Sequence, residues 1–274
     1  MKKANFRIGK NWLYIPLVAM AIFYLLPMYV MIVTGFKAFD EIDLKTMWDL
    51  PRGIAFDNYI EAYKNLSPFL WNSFKMVIPA TLISSALGSL NGFILAKWKF
   101  RGADVIFPII LFGMFIPYQS ILIPLVQFMN KVGVTGLPGL AMAHIIYGIP
   151  ITTLTFRNYY ASLPQELLEA AKIDGADMLG IYRYILLPIS LPSFVVVLIW
   201  QFTSAWNDFL FAVVLTGNTE WPITVALNNM AGSQIIAWNV QMAGSLLAAL
   251  PTLLVYIFLG QYFLRGLLAG SLKG

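Results

Sequence analysis

Few residues of this sequence could support covalent or metal chemistry. The 274-residue chain contains no cysteine and one histidine, His144. Neither the G-x-x-x-x-G-K-[ST] phosphate loop nor the G-x-S-x-G nucleophile turn occurs in it. We therefore predict that the chain is not an enzyme, and that it has no catalytic residue, no metal site and no cofactor of its own.

One acidic residue is of interest because it lies inside an apolar stretch. Asp208 follows Trp206 and Asn207 in the sequence AWNDFLFA at residues 205–212. Ionisable groups at membrane depth are costly and commonly mark the pathway of a solute or ion. These three residues are therefore candidates to line a pathway. The alternatives are that Asp208 lies at the membrane interface or pairs with a neighbouring polar group, and that His144 has a structural hydrogen-bonding role.

The elements that must position these residues are membrane-spanning helices. The chain is 59% hydrophobic and 11% charged, whereas soluble domains are about 45–50% apolar and about 25% charged. A spanning helix needs about 20 mostly apolar residues, and six stretches of this sequence qualify. We predict an all-α polytopic membrane protein in which residues 1–274 form one transmembrane domain. The predicted spans are about 13–34, 74–96, 104–129, 138–160, 189–215 and 242–264.

The distribution of basic residues sets the predicted orientation. The N-terminal sequence MKKANFRIGK precedes an apolar run that is too long for a cleaved signal peptide and lacks an A-x-A site. With six spans, most Lys and Arg residues fall on the same side as this N-terminus, and basic residues mark the cytoplasmic side. We predict a multi-pass protein of a bacterial or archaeal cytoplasmic (inner) membrane, with both termini in the cytoplasm. The net charge of +5 is explained by this bias, and we expect no nucleic-acid partner.

One cytoplasmic segment, residues 162–188, is too polar to span the membrane and too regularly patterned to be an irregular loop. Apolar residues recur in it at helical spacing on both sides of Gly175, which can adopt the left-handed conformation that ends a helix. Asp177 is placed to cap a second short helix, and Pro188 to stop it. Two amphipathic helices at the membrane surface indicate either a docking site for a partner protein or a lipid-surface element, and the spacing alone leaves both open.

The same segment resembles the EAA signature of the permease subunits of binding-protein-dependent ABC importers. The matching residues are Glu169, Ala170, Ala171, Gly175, Ile185, Leu187 and Pro188. Similarity to the sugar-specific permeases, which include the inner subunit of the maltose importer, covers essentially the whole chain. It is carried by TGFK (34–37), WNSF (71–74), AWNDFLFA (205–212) and the ending YFLRGLLAGSLKG.

The resemblance implies a mechanism and a set of partners. In this family the EAA segment lies in a cleft of a separate ATP-binding subunit, which binds ATP and Mg and drives the permeases between inward-facing and outward-facing states. The implied partners are a second permease subunit, in a heterodimer, two ATP-binding subunits, an extracytoplasmic solute-binding protein, a carbohydrate substrate and membrane lipid. The resemblance also implies ATPase contact by a C-terminal tail made of Ser271, Leu272, Lys273 and Gly274.

The outer segment between the last two predicted spans, about 217–241, is the candidate for handing over the solute. It contains no Lys or Arg and is rich in amides and small residues. In the maltose importer the corresponding loop dips into the cleft of the binding protein. We expect the tip of this loop to consist of Asn228, Asn229, Gly232, Ser233 and Gln234. The alternative is an ordinary interfacial loop with aromatic residues at the membrane boundary.

Two other transport functions are alternatives to a carbohydrate importer. An importer permease for a non-sugar solute would share the EAA signature, and the sequence does not identify the sugar. A secondary transporter would commonly show paired repeats and acidic relays in its spans. This sequence has no clear repeat and one plausible acidic residue within a span, which disfavours that class.

Overall fold

The structure is a computed structural model that describes residue 12 and residues 14–98, 100–232 and 236–271. Every regular element within these ranges is helical, which confirms the predicted fold class. The helix Met178–Ile189 is π-helical at its centre, Ile181–Leu186. The helices in chain order are α1 Tyr14–Gly35, α2 Asp57–Lys97, α3 Ala103–Phe112, α4 Leu122–Val132, α5 Gly136–Ala161, α6 Glu166–Ile173, α7 Met178–Ile189, α8 Leu191–Trp206, α9 Leu210–Leu215, α10 Ile223–Ala231 and α11 Trp238–Ser271.

Four of the described helices are each long and apolar enough to cross a membrane: α1, α2, α5 and the Trp238–Tyr262 part of α11. Helices α1 and α5 match the predicted first and fourth spans to within a few residues at each end. Helix α11 contains the predicted sixth span and extends beyond it at both ends. Two further crossings arise if each of two bent helix pairs is counted as one span, which gives up to six.

Helix α2 begins well before residue 74, where the second span was predicted to start. It has 41 residues, which correspond to about 60 Å at a rise of about 1.5 Å per residue. Its first turns are polar overall, yet Asn58, Ala62 and Leu66 are buried at four-residue spacing. That spacing places them on one helix face. The helix extends beyond the predicted span because a hydropathy criterion does not detect an amphipathic extension.

The predicted third span, 104–129, is not one continuous helix. Helices α3 and α4 are joined through two 3₁₀ turns and bent by 90°. At the bend Ile116 is extended, with φ −76° and ψ 116°, the conformation that residues before a proline prefer. Pro117 follows and has no N–H with which to continue a helix. This proline therefore breaks the span instead of producing a simple kink.

The predicted fifth span, 189–215, is also interrupted. Helices α7 and α8 are bent by 75° at Ser190, next to Pro192, whose ring nitrogen cannot donate the hydrogen bond that would continue the helix. A second interruption follows Trp206, where residues 207–209 are non-helical before α9 begins.

The second interruption is stabilised by two polar side chains. Asn207 Nδ2 donates to the Thr203 carbonyl at 3.0 Å. The Asp208 carboxylate accepts from the backbone N–H groups of Phe211, at 3.4 Å, and Ala212, at 3.0 Å. Backbone groups at helix ends need such partners, above all where water is scarce. The sequence WND therefore ends one helix and starts the next.

The chain divides into two compact units by its internal contacts: Met1–Leu66 with Asn229–Ala248, and Ser67–Asn228 with Ala249–Gly274. The expectation of one domain over 1–274 stays a prediction. In the first unit, the buried Asn58 amide donates to two backbone carbonyls, and Ala62, Val240 and Ala243 form a small apolar core.

In the second unit, α2 packs closely on α5 through two glycines spaced four residues apart. A Cβ at Gly92 would lie 2.7 Å from Phe156 Cβ, and Gly88 lies equally tightly against Thr152. Thr152 Oγ1 also donates to the Ser84 carbonyl at 3.1 Å. Small residues permit this approach of two helix backbones in a membrane protein. The paired helices form the frame on which residues 162–188 are anchored.

Candidate functional sites

The coupling segment, residues 162–188, contains α6 and most of α7 joined at Gly175. This glycine has φ +80°, which confirms the predicted left-handed turn. The Gly175 N–H donates to the Lys172 carbonyl at 3.1 Å, and the Ala176 N–H donates to the Ala171 carbonyl at 2.9 Å. These two bonds form a Schellman motif, so the turn between the helices has a defined geometry.

The second short helix begins at the predicted cap but does not end where predicted. Asp177 Oδ1 accepts from the Gly180 N–H at 2.7 Å. The expectation that Pro188 stops the helix is wrong, because α7 continues to Ile189. Pro188 lies at the start of the α-helical turn that follows the π-helical stretch, a position at which a missing N–H is tolerated.

The coupling segment is anchored to the membrane helices by a buried apolar cluster. Leu168 and Ala171 of α6 pack with Ile181 and Leu186 of α7, and the cluster is completed by Phe93, Phe156, Tyr160 and Val197. Burial of such side chains stabilises the attachment, at about 1.5–3 kcal/mol for each large apolar residue. The two short helices are therefore packed onto α2, α5 and α8.

A chain of four buried or half-buried hydroxyl groups adds a polar attachment. Tyr182 donates to Ser89 Oγ at 2.9 Å, and Ser89 Oγ lies 2.7 Å from the Tyr160 hydroxyl. Tyr160 donates to Ser190 Oγ at 3.1 Å, and Ser190 donates to the Leu187 carbonyl at 2.9 Å. Connected hydrogen bonds of this kind favour one geometry in a low-dielectric interior. They link α7 to α2, to α5 and to the bend at residue 190.

The residues of the EAA signature divide between this anchor and the outer surface. Ala171 is buried, and Ile185 and Leu187 are half-buried. The exposed members are Glu169, Ala170, Gly175 and Pro188. Large apolar side chains are exposed among the charged residues on the same segment, namely Leu167, Ile173, Leu179 and Tyr184. Such a mixture suits a protein interface better than the bilayer interior, where each charge is costly.

A second candidate site is a cavity of about 640 Å³. It is lined by α5, by α8, by the 3₁₀ turns between α3 and α4, and by the interruption after α8. Its lining combines aromatic rings with polar groups: Tyr118, His144, Tyr147, Trp200, Gln201, Ser204, Asn207 and Asp208. Ligand sites in proteins are commonly of about 300–1,000 Å³ and have a few convergent polar groups in an apolar wall.

His144 and Asp208 meet in the lining of this cavity. His144 Nε2 lies 3.4 Å from Asp208 Oδ2, and their side chains are 7% and 11% exposed. Gln201 Nε2 donates to the His144 carbonyl at 3.0 Å. The expectation that Asp208 pairs with a neighbouring polar group is confirmed. The same residue also lines the cavity, so its candidacy for the pathway is retained.

The three residues of the AWNDFLFA sequence that were proposed for the pathway are not equivalent. Asn207 and Asp208 line the cavity. Trp206 does not, because it is only 2% exposed and its ring stacks on Phe202 at a centroid distance of 5.5 Å. Trp206 therefore packs inside the protein.

Sequence reasoning missed most of the other polar and aromatic groups of the cavity. On α5 the lining residues His144, Tyr147 and Ile151 recur at spacings of three and four, which places them on one helix face. On α8 the same holds for Trp200 and Ser204. A search for polar and aromatic residues at helical spacing within apolar runs could have found both stripes.

Three of the five proposed hand-over residues lie within the described ranges. Asn228 and Asn229 are exposed in the last turns of α10, and Gly232 follows that helix. The helix forms because the Ile223 N–H donates to Ser73 Oγ at 2.8 Å and three of its apolar side chains are buried. Ser233 and Gln234 lie outside the described residues. Ser271 ends α11, and Leu272, Lys273 and Gly274 of the proposed tail lie outside them too.

Comparison with known proteins places these sites in a family. Residues 88–268 match the model of the family described as binding-protein-dependent transport system inner membrane component. A probable ABC transporter permease protein of Pyrococcus horikoshii is 48% identical over 96% of this chain and 96% of its own. The xylose/arabinose import permease protein XacI of Haloferax volcanii is 37% identical over 89% of this chain and 87% of its own.

A solved structure gives the same fold. One chain in the crystal structure of a bacterial ABC transporter involved in the import of the acidic polysaccharide alginate has a TM-score of 0.80 and 22% identity, over 96% of this chain and 100% of that one. The family match covers α5, the coupling segment and the cavity residues of α8. The chain belongs to the binding-protein-dependent transport system inner membrane components and is a multi-pass membrane permease of an ABC importer.

Proposed function

We propose that this permease carries a carbohydrate. The cavity is the observation that carries the proposal. The rings of Tyr147 and Trp200 offer faces for sugar C–H groups, while Gln201, Ser204 and Asn207 offer donors and acceptors to sugar hydroxyls. The name of the Haloferax relative, a xylose/arabinose import permease, supports the same class of solute.

The coupling segment is proposed to receive the energy of ATP hydrolysis from a partner. The chain has no phosphate loop, so ATP and Mg belong to a separate ATP-binding subunit. Two features support docking there: the segment is packed onto α2 and α5, and it exposes apolar and charged residues together. A rigidly attached surface can transmit the movement of a partner to the spans without any chemistry of its own.

The proposed assembly contains a second permease, two ATP-binding subunits and an extracytoplasmic solute-binding protein. The coupling segment and both termini face the cytoplasm, in line with the bias of basic residues. The segment 217–241 faces the opposite side and receives the solute from the binding protein, with Asn228, Asn229, Gly232, Ser233 and Gln234 as the hand-over residues. The tail, residues 271–274, contacts the ATP-binding subunits.

Uptake into proteoliposomes tests the class of solute. The permease, its partner permease, the ATP-binding subunits and the solute-binding protein would be reconstituted and supplied with radiolabelled xylose, glucose, maltose or methionine. ATP-dependent accumulation of at least one sugar, and none of methionine, is expected. Accumulation of methionine without any sugar would favour the alternative of a non-sugar importer. A sample without ATP is the control for leakage.

A further inference from the structure

We propose that the cavity selects neutral saccharides over anionic ones, and that His144 and Asp208 are the lining residues that make this selection. The inference rests on the proposed carbohydrate function and adds the charge class of the solute. It follows from the charges that line the cavity, from the hydrogen-bonding capacity left at the histidine–aspartate pair, and from the aromatic rings that line the same cavity.

The charges of the lining favour a neutral ligand. Among the described residues that line the cavity there is one carboxylate, Asp208, and neither a lysine nor an arginine. An anionic sugar would bring a second carboxylate beside it. Like charges in a poorly hydrated site repel strongly, because the local dielectric constant is far below that of water. A cavity built for a uronate would be expected to offer an arginine, which binds carboxylates through two hydrogen bonds.

The pair has hydrogen-bonding capacity that a hydroxyl group can use. Asp208 accepts two backbone N–H groups, and a carboxylate has about four acceptor sites. His144 is 6% exposed, and its Nε2 has no hydrogen-bond partner among the described residues. Buried polar atoms seldom remain without one. Asp208 Oδ2 lies 3.4 Å from this nitrogen, and a ligand hydroxyl that reaches both atoms would complete the hydrogen bonding that this contact leaves unmade.

A sugar hydroxyl fits between the two side chains better than a carboxylate does. Its hydrogen can be donated to Asp208 while its oxygen accepts from His144 Nε2, when that nitrogen carries a proton. A ligand carboxylate has no hydrogen to donate, so it could satisfy the histidine only while facing the aspartate unpaired. The rings of Tyr147 and Trp200 line the same cavity, and a pyranose ring can stack on them without a charge.

Equilibrium dialysis of the whole importer against two matched pairs of sugars tests the inference. The detergent-solubilised complex, without the solute-binding protein, would be dialysed against radiolabelled glucose and glucuronate, and against galactose and galacturonate. Each pair shares a ring and differs in charge. We expect the neutral member to bind at least tenfold more tightly than the anionic one, a ratio typical of one charged hydrogen bond gained or lost.

Substitutions identify the residues responsible. Asp208→Asn keeps an oxygen that can accept from the start of α9 but removes the charge. It should weaken binding of the neutral sugar about tenfold and bring its affinity close to that of the uronate, whereas a merely structural role would weaken both sugars alike. His144→Gln should also weaken binding of the neutral sugar. Asp104→Asn, at an exposed carboxylate in the first turn of α3, is the control and should change neither affinity.

The outcomes separate this inference from the carbohydrate function. Equal binding of glucose and glucuronate, or an unchanged ratio in an assembled Asp208→Asn complex, would overturn the inference. So would a complex that imports a sugar into proteoliposomes yet binds none of the four probes. If Asp208→Asn fails to assemble, His144→Gln decides, and unchanged affinities in it would overturn the inference. Import of methionine alone would instead contradict the carbohydrate function.

Discussion

Single residues determine the geometry of both candidate sites by ending or starting helices. Gly175 closes α6 through its left-handed conformation. Asp177 and Asp208 start α7 and α9 by accepting backbone N–H groups. The two aspartate side chains accept backbone N–H groups that a helix start leaves free. At Gly175 the absence of a side chain permits the turn in which backbone N–H groups donate to the last carbonyls of α6. Each of these residues therefore fixes the backbone of its site over about one helical turn.

Replacing Gly175 by valine should impair coupling between the permease and the ATP-binding subunits. A Cβ at this position would meet no heavy atom within 4 Å, so the penalty is conformational. A β-branched residue at φ +80° costs about 1–3 kcal/mol, and the turn is expected to change shape to avoid it. ATPase activity stimulated by the loaded binding protein should fall severalfold in reconstituted complexes.

Gly53→Val, at a glycine outside every proposed site, is the matched control for that substitution. Its Cβ also meets nothing within 4 Å, and its φ lies outside the left-handed region. We expect this variant to couple normally. Wild-type ATPase stimulation by Gly175→Val at normal expression would contradict the role assigned to the turn.

The residue scale also shows what the sequence can predict. Gly175 and Asp177 were predicted correctly because a helix end depends on neighbours within about four residues. The contact of His144 with Asp208 was not predicted as a specific pair, since the two residues belong to α5 and to the interruption after α8. Their meeting is a consequence of tertiary packing, which local patterns do not encode.

At the scale of elements, hydropathy located the apolar stretches but not their continuity. Hydropathy averaged over about 20 residues changes little at a single residue such as Pro117 or Asn207. Yet a missing N–H at Pro117 breaks the third span. The side chain of Asn207 stabilises the end of α8, and that of Asp208 the start of α9. The first turns of α2 were missed for the opposite reason: their polar surface lowers the average while one face is buried. Where a span breaks therefore depends on hydrogen bonding as well as on apolar content.

Replacing Gly92 by alanine should destabilise the packing of α2 on α5. The added Cβ would lie 2.7 Å from both the Arg157 nitrogen and Phe156 Cβ, and a backbone atom cannot move aside without displacing the helix. Overpacking of this kind costs about 1–3 kcal/mol, which exceeds the gain of about 1 kcal/mol from the better helix propensity of alanine. A lower thermal unfolding temperature of the purified complex in detergent is expected.

Gly260→Ala provides the control on another helix. Gly260 lies in α11, and its added Cβ would meet nothing within 4 Å. The unfolding temperature of the Gly260→Ala complex should equal or exceed that of the wild type. If Gly92→Ala were as stable as Gly260→Ala, the two glycines of α2 would not be packing positions.

At the scale of the whole molecule, membrane topology depends on how the bent pairs are counted. The described chain has four long apolar helices and two bent pairs. If α3 and α4 together cross the membrane, residues 101 and 172 lie on the same side, because α5 crosses back. If that pair instead enters and leaves on one side as a re-entrant loop, α5 alone separates the two residues, and they lie on opposite sides. The bias of basic residues favours the first arrangement.

Single-cysteine labelling distinguishes these arrangements, because the natural chain contains no cysteine and each variant reports one position. We expect a membrane-impermeant maleimide to label Leu44→Cys, at a side chain that is 86% exposed, and Thr135→Cys in intact cells. Arg101→Cys and Lys172→Cys should be labelled only after the membrane is opened, when all four must react if each site is reachable.

Thr135 is decisive, since it follows α4 and precedes α5. A crossing pair puts it opposite Arg101, whereas a re-entrant pair puts both on one side. Labelling of Lys172→Cys in intact cells together with protection of Thr135→Cys and Arg101→Cys would establish the re-entrant loop and exclude six spans.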